Sequence, residues 1–145
     1  MKTRPSALII KDSKILTLKY VYNGAALFAL PGGNVEHNET IKDTLIRELE
    51  EELGINIIIK DLFSVGETYN PEKNSNILHL TFIAEISGGS PVPNPEHTTC
   101  LGVEWIDIQD VAHINMYPNI AKHIAISSDN THTNKYLGLL DQKWL

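Results

Sequence analysis

GNVEHNETIKDTLIRELEEELGI, residues 33–55, contains a helix whose two ends are both signalled. Thr40 and Asp43 are spaced as a variant capping box, and Gly54 stands where a left-handed residue ends a helix. On a wheel of 100° per residue, Ile41, Leu45, Ile46, Leu49 and Leu53 cover a stripe about 140° wide, enough to pack on a sheet. Glu48, Glu51 and Glu52 fall on an arc of about 100° at the edge of that stripe, whereas Glu50 points away. The 48/51 and 48/52 pairs each repel by about 0.2–0.5 kcal/mol on an isolated helix. The helix C-terminus opposes each exposed carboxylate by about 0.3–1 kcal/mol more. Such a cluster is either a solvated acidic face or a site for a hard cation such as Mg²⁺, which takes carboxylate and carbonyl oxygens.

Upstream, Arg4 to Lys11 and Lys14 to Tyr20 are β-rich runs around Asp12 and Ser13, which reads as a hairpin. Leu27 to Leu30 is a short apolar segment that ends in Pro31, Gly32 and Gly33, glycines that allow close backbone approach. Downstream, Ile55 to Ser64 and Asn76 to Ile86 read as strands joined by a loop with Asn70, Pro71, Asn74 and Ser75. Gly88 to Pro95 is a second loop and leads to a strand, Cys100 to Asp107. Gln109 to His113 reads as a helical turn and Asn119 to Ser127 as a helix after Pro118. The tail to Leu145 has no clear pattern. The order predicts an α+β domain, not a βαβ repeat.

With 145 residues, one domain spanning 1–145 is expected, large enough for a core without disulfide staples. The apolar run Ala7 to Ile10 is too short for a signal-peptide core or a membrane span, so a cytoplasmic protein without membrane association is expected. The single cysteine, Cys100, agrees with a reducing compartment, and its apolar setting reads as an inert thiol. A formal net charge of −6 argues against stable nucleic-acid binding, which draws on clustered Lys and Arg. An anionic substrate must therefore be met locally, and a metal ion does that within an acidic site. The six histidines show no metal-ligand spacing. A homodimer is left open.

From Gly33 to Ile55 every defined position fits G-x5-E-x7-R-E-U-x-E-E-x-G-U, with U a bulky aliphatic, and Leu30 to Gly33 gives LPGG before it. This resembles the complete box of the Nudix hydrolase family. The resemblance implies an α/β/α sandwich around a mixed β-sheet and hydrolysis of a pyrophosphate bond in a nucleoside diphosphate linked to a moiety X. It implies Glu48, Glu51 and Glu52 as metal ligands with catalytic roles, the backbone carbonyl of Gly32 as a further ligand, Mg²⁺ or Mn²⁺ as cofactor, and Gly33, Glu39 and Arg47 as supports.

Phosphoanhydride hydrolysis needs charge neutralisation, a positioned water and in-line approach. The resemblance implies as base either Glu52 or a carboxylate in the loop before the Trp105 strand, where Glu96 is the candidate. Arg4 and Lys19, on predicted strands, are candidates for substrate phosphates, and Tyr20, Tyr22, Phe28 and Tyr69 for stacking on a base or for packing. Pro71 lies near the place where ADP-ribose-hydrolysing members carry a proline, without the usual neighbouring glycine. ADP-ribose, a nucleotide sugar and a nucleoside triphosphate all remain open as substrates. A Nudix-fold module that senses a nucleotide without turnover is the alternative function, and a structural protein with a charged helix would show no metal dependence.

Overall fold

A computed structural model describes residues 1–127 and 135–145. In chain order it has strands β1 (Lys2–Leu8), β2 (Ile10–Lys11), β3 (Lys14–Tyr22) and β4 (Ala25–Ala29), helix α1 (Ile41–Leu53), and strands β5 (Asn56–Asn70), β6 (Ser75–Gly88) and β7 (Gly102–Asp107). A 3-10 turn at Ile108–His113, β8 (Met116–Tyr117), α2 (Ala121–Ser127) and β9 (Tyr136–Leu139) follow. One sheet has the order β1-β6-β5-β9; in the other β2, β3, β4 and β8 run in sequence and β7 pairs with β3. Both sheets mix parallel and antiparallel pairs.

The expected hairpin of Arg4–Lys11 with Lys14–Tyr20 survives only at its turn. Ile10 and Lys11 pair with Ile15 and Lys14 across Asp12 and Ser13, which both take positive φ, as a tight hairpin turn requires. The chain changes sheet at the buried Ile9, and β1 runs parallel to β6 instead. The strand expected to stop at Ser64 continues to Asn70. Gly66 is not a break there: the Leu140 side chain packs 3.0 Å from where its Cβ would lie, so the glycine makes room for the tail. That tail supplies β9, parallel to β5, which the sequence pattern did not reveal; residues 128–134 of it lie outside the described residues.

Adjacent residues of the same strands feed two different cores. Ala7, Ile9, Leu16 and Leu18 pack with Leu45, Leu49 and Leu53 of α1, whereas Leu8 and Ile15 pack with Ala121 and Ile124 of α2. Since neighbouring strand residues point to opposite faces, the helices cover opposite sides of the strands, the layering that the resemblance implies. Among the described residues no helix is long and apolar enough to cross a membrane.

Helix α1 is capped as predicted. The side chain of Thr40 accepts from Asp43 N–H at 3.1 Å, and Gly54, at φ 66°, donates its N–H to the Glu50 carbonyl at 2.9 Å. The buried face is rotated from the wheel's stripe: Ile46 is 41% exposed and Thr44 is buried in its place. The rotation follows from Thr44, whose hydroxyl donates to Glu39 and to the Thr40 carbonyl at 3.0 Å each. It carries the row Thr44–Glu48–Glu52 toward the interior.

Candidate active site

The segment after β4 zips along β1 before it enters the helix. Ala7 N–H donates to the Pro31 carbonyl at 2.9 Å, Gly33 N–H to Pro5 at 3.3 Å and Val35 N–H to Thr3 at 3.0 Å. Gly32 bridges Ser6 so closely that a Cβ on it would overlap the Pro5 carbonyl. A Cβ on Gly33 would overlap the carboxyl of Glu48. Neither glycine has a positive φ, so both are needed for closeness and not for their conformation.

Arg47 organises the acidic side of the helix. It donates from Nε and Nη2 to both carboxylate oxygens of Glu39, at 2.6 and 2.9 Å, and its Nη1 lies 3.2 Å from Glu48 and 3.1 Å from Glu51. The Arg47 fork holds the Glu39 carboxyl down at about 2. Glu39 in turn accepts from Glu36 N–H and the Thr44 hydroxyl, which ties the loop to the helix.

Glu48 and Glu52 stand within hydrogen-bonding reach of each other and are half-buried. Burial pushes both carboxyls up, and the neighbouring Glu48 charge helps raise Glu52 to about 8. Such a pair shares a proton near neutral pH. Glu51 is turned toward Arg47, with Nδ1 of His97 3.9 Å from its carboxylate. Among the described residues no three carboxylate, imidazole or thiol groups form a ready coordination sphere. The donor set still fits a divalent cation: two crowded, partly desolvated carboxylates hold a proton where a cation would relieve them, and all donors are hard oxygens. Glu50 is exposed on the far side.

The loop before β7 docks on the end of α1, where Val92 and Asn94 donate their N–H groups to the Leu53 and Glu52 carbonyls at 3.0 and 2.8 Å. It thereby carries His97 to Glu51 and buries Thr98 beside the Tyr20 hydroxyl. Glu96 is exposed on this loop; the structure brings His97, not Glu96, to the helix carboxylates. No spacing marked His97, because the contact depends on how the loop caps a helix more than forty residues earlier.

Arg4 sits on β1 between the carboxylates and an open cleft. Its charge acts on Glu52, its guanidinium lies 5.2 Å over the Tyr117 ring, and Nη2 donates to the Leu30 carbonyl at 3.0 Å. Among the described residues its buried Nη1 has no partner. Beside it His79 is 1% exposed, with Nε2 2.8 Å from the Thr68 hydroxyl; burial and Arg4 push its imidazole down to about 3, so it is neutral. Lys19 is on the face of β3 opposite Leu18 and Tyr20 and does not line the cleft.

Residues 2–125 match the family model of the NUDIX domain. The chain belongs to the Nudix family. It is 36% identical over 83 residues to the ADP-ribose pyrophosphatase of Methanocaldococcus jannaschii, covering 57% of this chain and 49% of that one. It is 31% identical over 110 residues to the Nudix hydrolase YvcI of Bacillus subtilis, covering 74% and 66%. The matched regions thus span about half to two thirds of these relatives' own lengths. A Nudix hydrolase from Nitrosomonas europaea shares the fold, with a TM-score of 0.71 at 18% identity over 89% of this chain and 88% of that chain.

Proposed function

We propose that this Nudix chain hydrolyses the pyrophosphate bond of a nucleoside diphosphate linked to a moiety X, of the ADP-ribose or nucleotide-sugar type, with Mg²⁺ held by Glu48, Glu51 and Glu52. One observation carries the reading: two carboxyls of one helix turn are packed against each other, half-buried, beside an arginine whose buried Nη1 has no partner among the described residues. Carboxylates in this state call for a cation, and the arginine calls for an anion.

When bound, the cation supplies charge neutralisation and a more acidic water. The chain's own groups do the rest. Arg4 donates from Nη1 to a substrate phosphate oxygen and fixes the diphosphate beside the helix. Glu52, relieved of its own proton, accepts one from the water that attacks phosphorus. The P–O–P bond breaks as the new P–O bond forms, and the products are a nucleoside monophosphate and phosphorylated X, which is pyrophosphate where X is itself a single phosphate. Arg47 holds Glu51 and Glu48 in register and does not touch substrate.

The relative named ADP-ribose pyrophosphatase supports the choice of substrate class. The test is a panel of ADP-ribose, nucleotide sugars, dinucleoside polyphosphates and nucleoside triphosphates, assayed with Mg²⁺ and with EDTA and ranked by kcat/KM. Hydrolysis of a diphosphate-linked nucleotide that stops in EDTA is expected. Binding without turnover across the panel would replace this reading with a nucleotide sensor.

A further inference from the structure

The family match ends at residue 125, yet residues beyond it build one wall of the cleft next to Arg4. This cleft has a volume of about 520 Å³, within the range of small-molecule sites. Tyr20 and Tyr22 form one side, stacked 6.1 Å apart with planes within 9° of each other. Tyr117 and Trp144 form the other, with ring centroids 6.2 Å apart. Trp144 is held in place from two directions: its indole N–H donates to the Tyr69 carbonyl at 3.1 Å, and Gln142 before it donates to the Met116 carbonyl and accepts from Asn119 N–H. The residue remains 37% exposed. A large aromatic ring fixed by hydrogen bonds, partly bare, at the mouth of a cavity is a stacking platform ready for a planar ligand.

We infer that the nucleobase of the substrate stacks on Trp144, so that the C-terminal segment, which is no part of the family match, sets affinity for the nucleoside. The inference rests on the nucleotide-hydrolysis reading above for the identity of the ligand. Arg4 lies between this cleft and Glu52, so a nucleotide whose phosphates meet Arg4 reaches Trp144 with its base. Trp144 is a binding residue and takes no part in bond breaking.

The chain has two tryptophans, and Trp105 packs against the core away from the cleft. The variant Trp105→Phe therefore leaves Trp144 as the sole indole. Titrating AMP into it in EDTA is expected to quench the fluorescence saturably, whereas ribose 5-phosphate, which has no base, leaves it unchanged. In the otherwise native chain Trp144→Ala is expected to raise KM for the best nucleotide by about tenfold with kcat within about twofold, and Trp144→Phe to restore most of the loss. The cleft-mouth position makes both variants foldable, and a thermal melt checks this. Quenching by ribose 5-phosphate equal to that by AMP, or nucleotide turnover with no quench and an unchanged KM in Trp144→Ala, overturns the inference while hydrolysis stands. Saturable AMP quenching without turnover of any nucleotide keeps Trp144 as a base platform and removes the hydrolase reading instead.

Discussion

Single residues decide the chemistry of this site, and the clearest case is Gly33. Its missing Cβ is filled by the Glu48 carboxyl, so Gly33→Ala is expected to push Glu48 off its position and weaken Mg²⁺ binding about tenfold or more, the scale of losses around metal ligands. The φ of Gly33 suits alanine, so the melting temperature should change little; a large loss of stability with intact Mg²⁺ affinity would contradict this. Glu52 predicts a pH dependence with a definite sign. Its folded-state carboxyl holds a proton up to about pH 8, whereas in the unfolded chain it ionises near its usual value. Between these the folded, cation-free protein binds more protons, so stability falls as pH rises through that window. Apparent Mg²⁺ affinity should rise from pH 6 to 8 as cation displaces proton, with proton release seen by calorimetry in buffers of different ionisation enthalpy. An affinity flat across this range would refute the shared-proton pair. At this scale the clustering of the three glutamates along one helix edge was legible in the sequence, because helical geometry alone places them there, while their reading as metal ligands came from the resemblance. His97, Tyr117 and Trp144 were not, since strands and loops distant in sequence bring them in.

At the scale of elements, α1 was readable end to end, because its caps are local chemistry. Thr40→Ala is expected to cost about 1 kcal/mol by removing the cap acceptor, lowering the melting temperature while kcat below the transition is kept. Unchanged denaturant midpoints would mean that the Glu39 and Thr44 bonds cap the helix unaided. The wheel misplaced Ile46, because the hydroxyl bonds of Thr44 turn the helix by more than an average apolar stripe reveals. The strands were harder. Nothing local says that β1 leaves its apparent hairpin partner for a parallel place beside β6 seventy-odd residues away, or that Gly66 receives Leu140. Pairing across such separations is tertiary and overrides local pattern.

Across the whole molecule, polar groups buried between the sheets tie stability to acidity. The His79 imidazole resists protonation down to about 3 in the folded state but takes a proton near its ordinary value when unfolded. Below that ordinary value the unfolded chain binds more protons, so stability falls on acidification. An NMR titration should find the His79 ring neutral at pH 5; titration near 6.5 would contradict the burial described. Above this window the cation should dominate stability. Millimolar Mg²⁺ is expected to raise the melting temperature relative to EDTA at fixed ionic strength, because it binds only where the fold gathers the glutamates. In the proposed reaction the inner carboxylates of α1, and not its acidic character at large, carry the chemistry. The measurement is kcat on the best substrate at saturating Mg²⁺ for Glu51→Gln, Glu52→Gln and Glu50→Gln, since the amide keeps size and helix propensity and removes only charge. Losses of at least about a hundredfold are expected at 51 and at 52, with near-native turnover at 50. Near-native turnover in all three would contradict it.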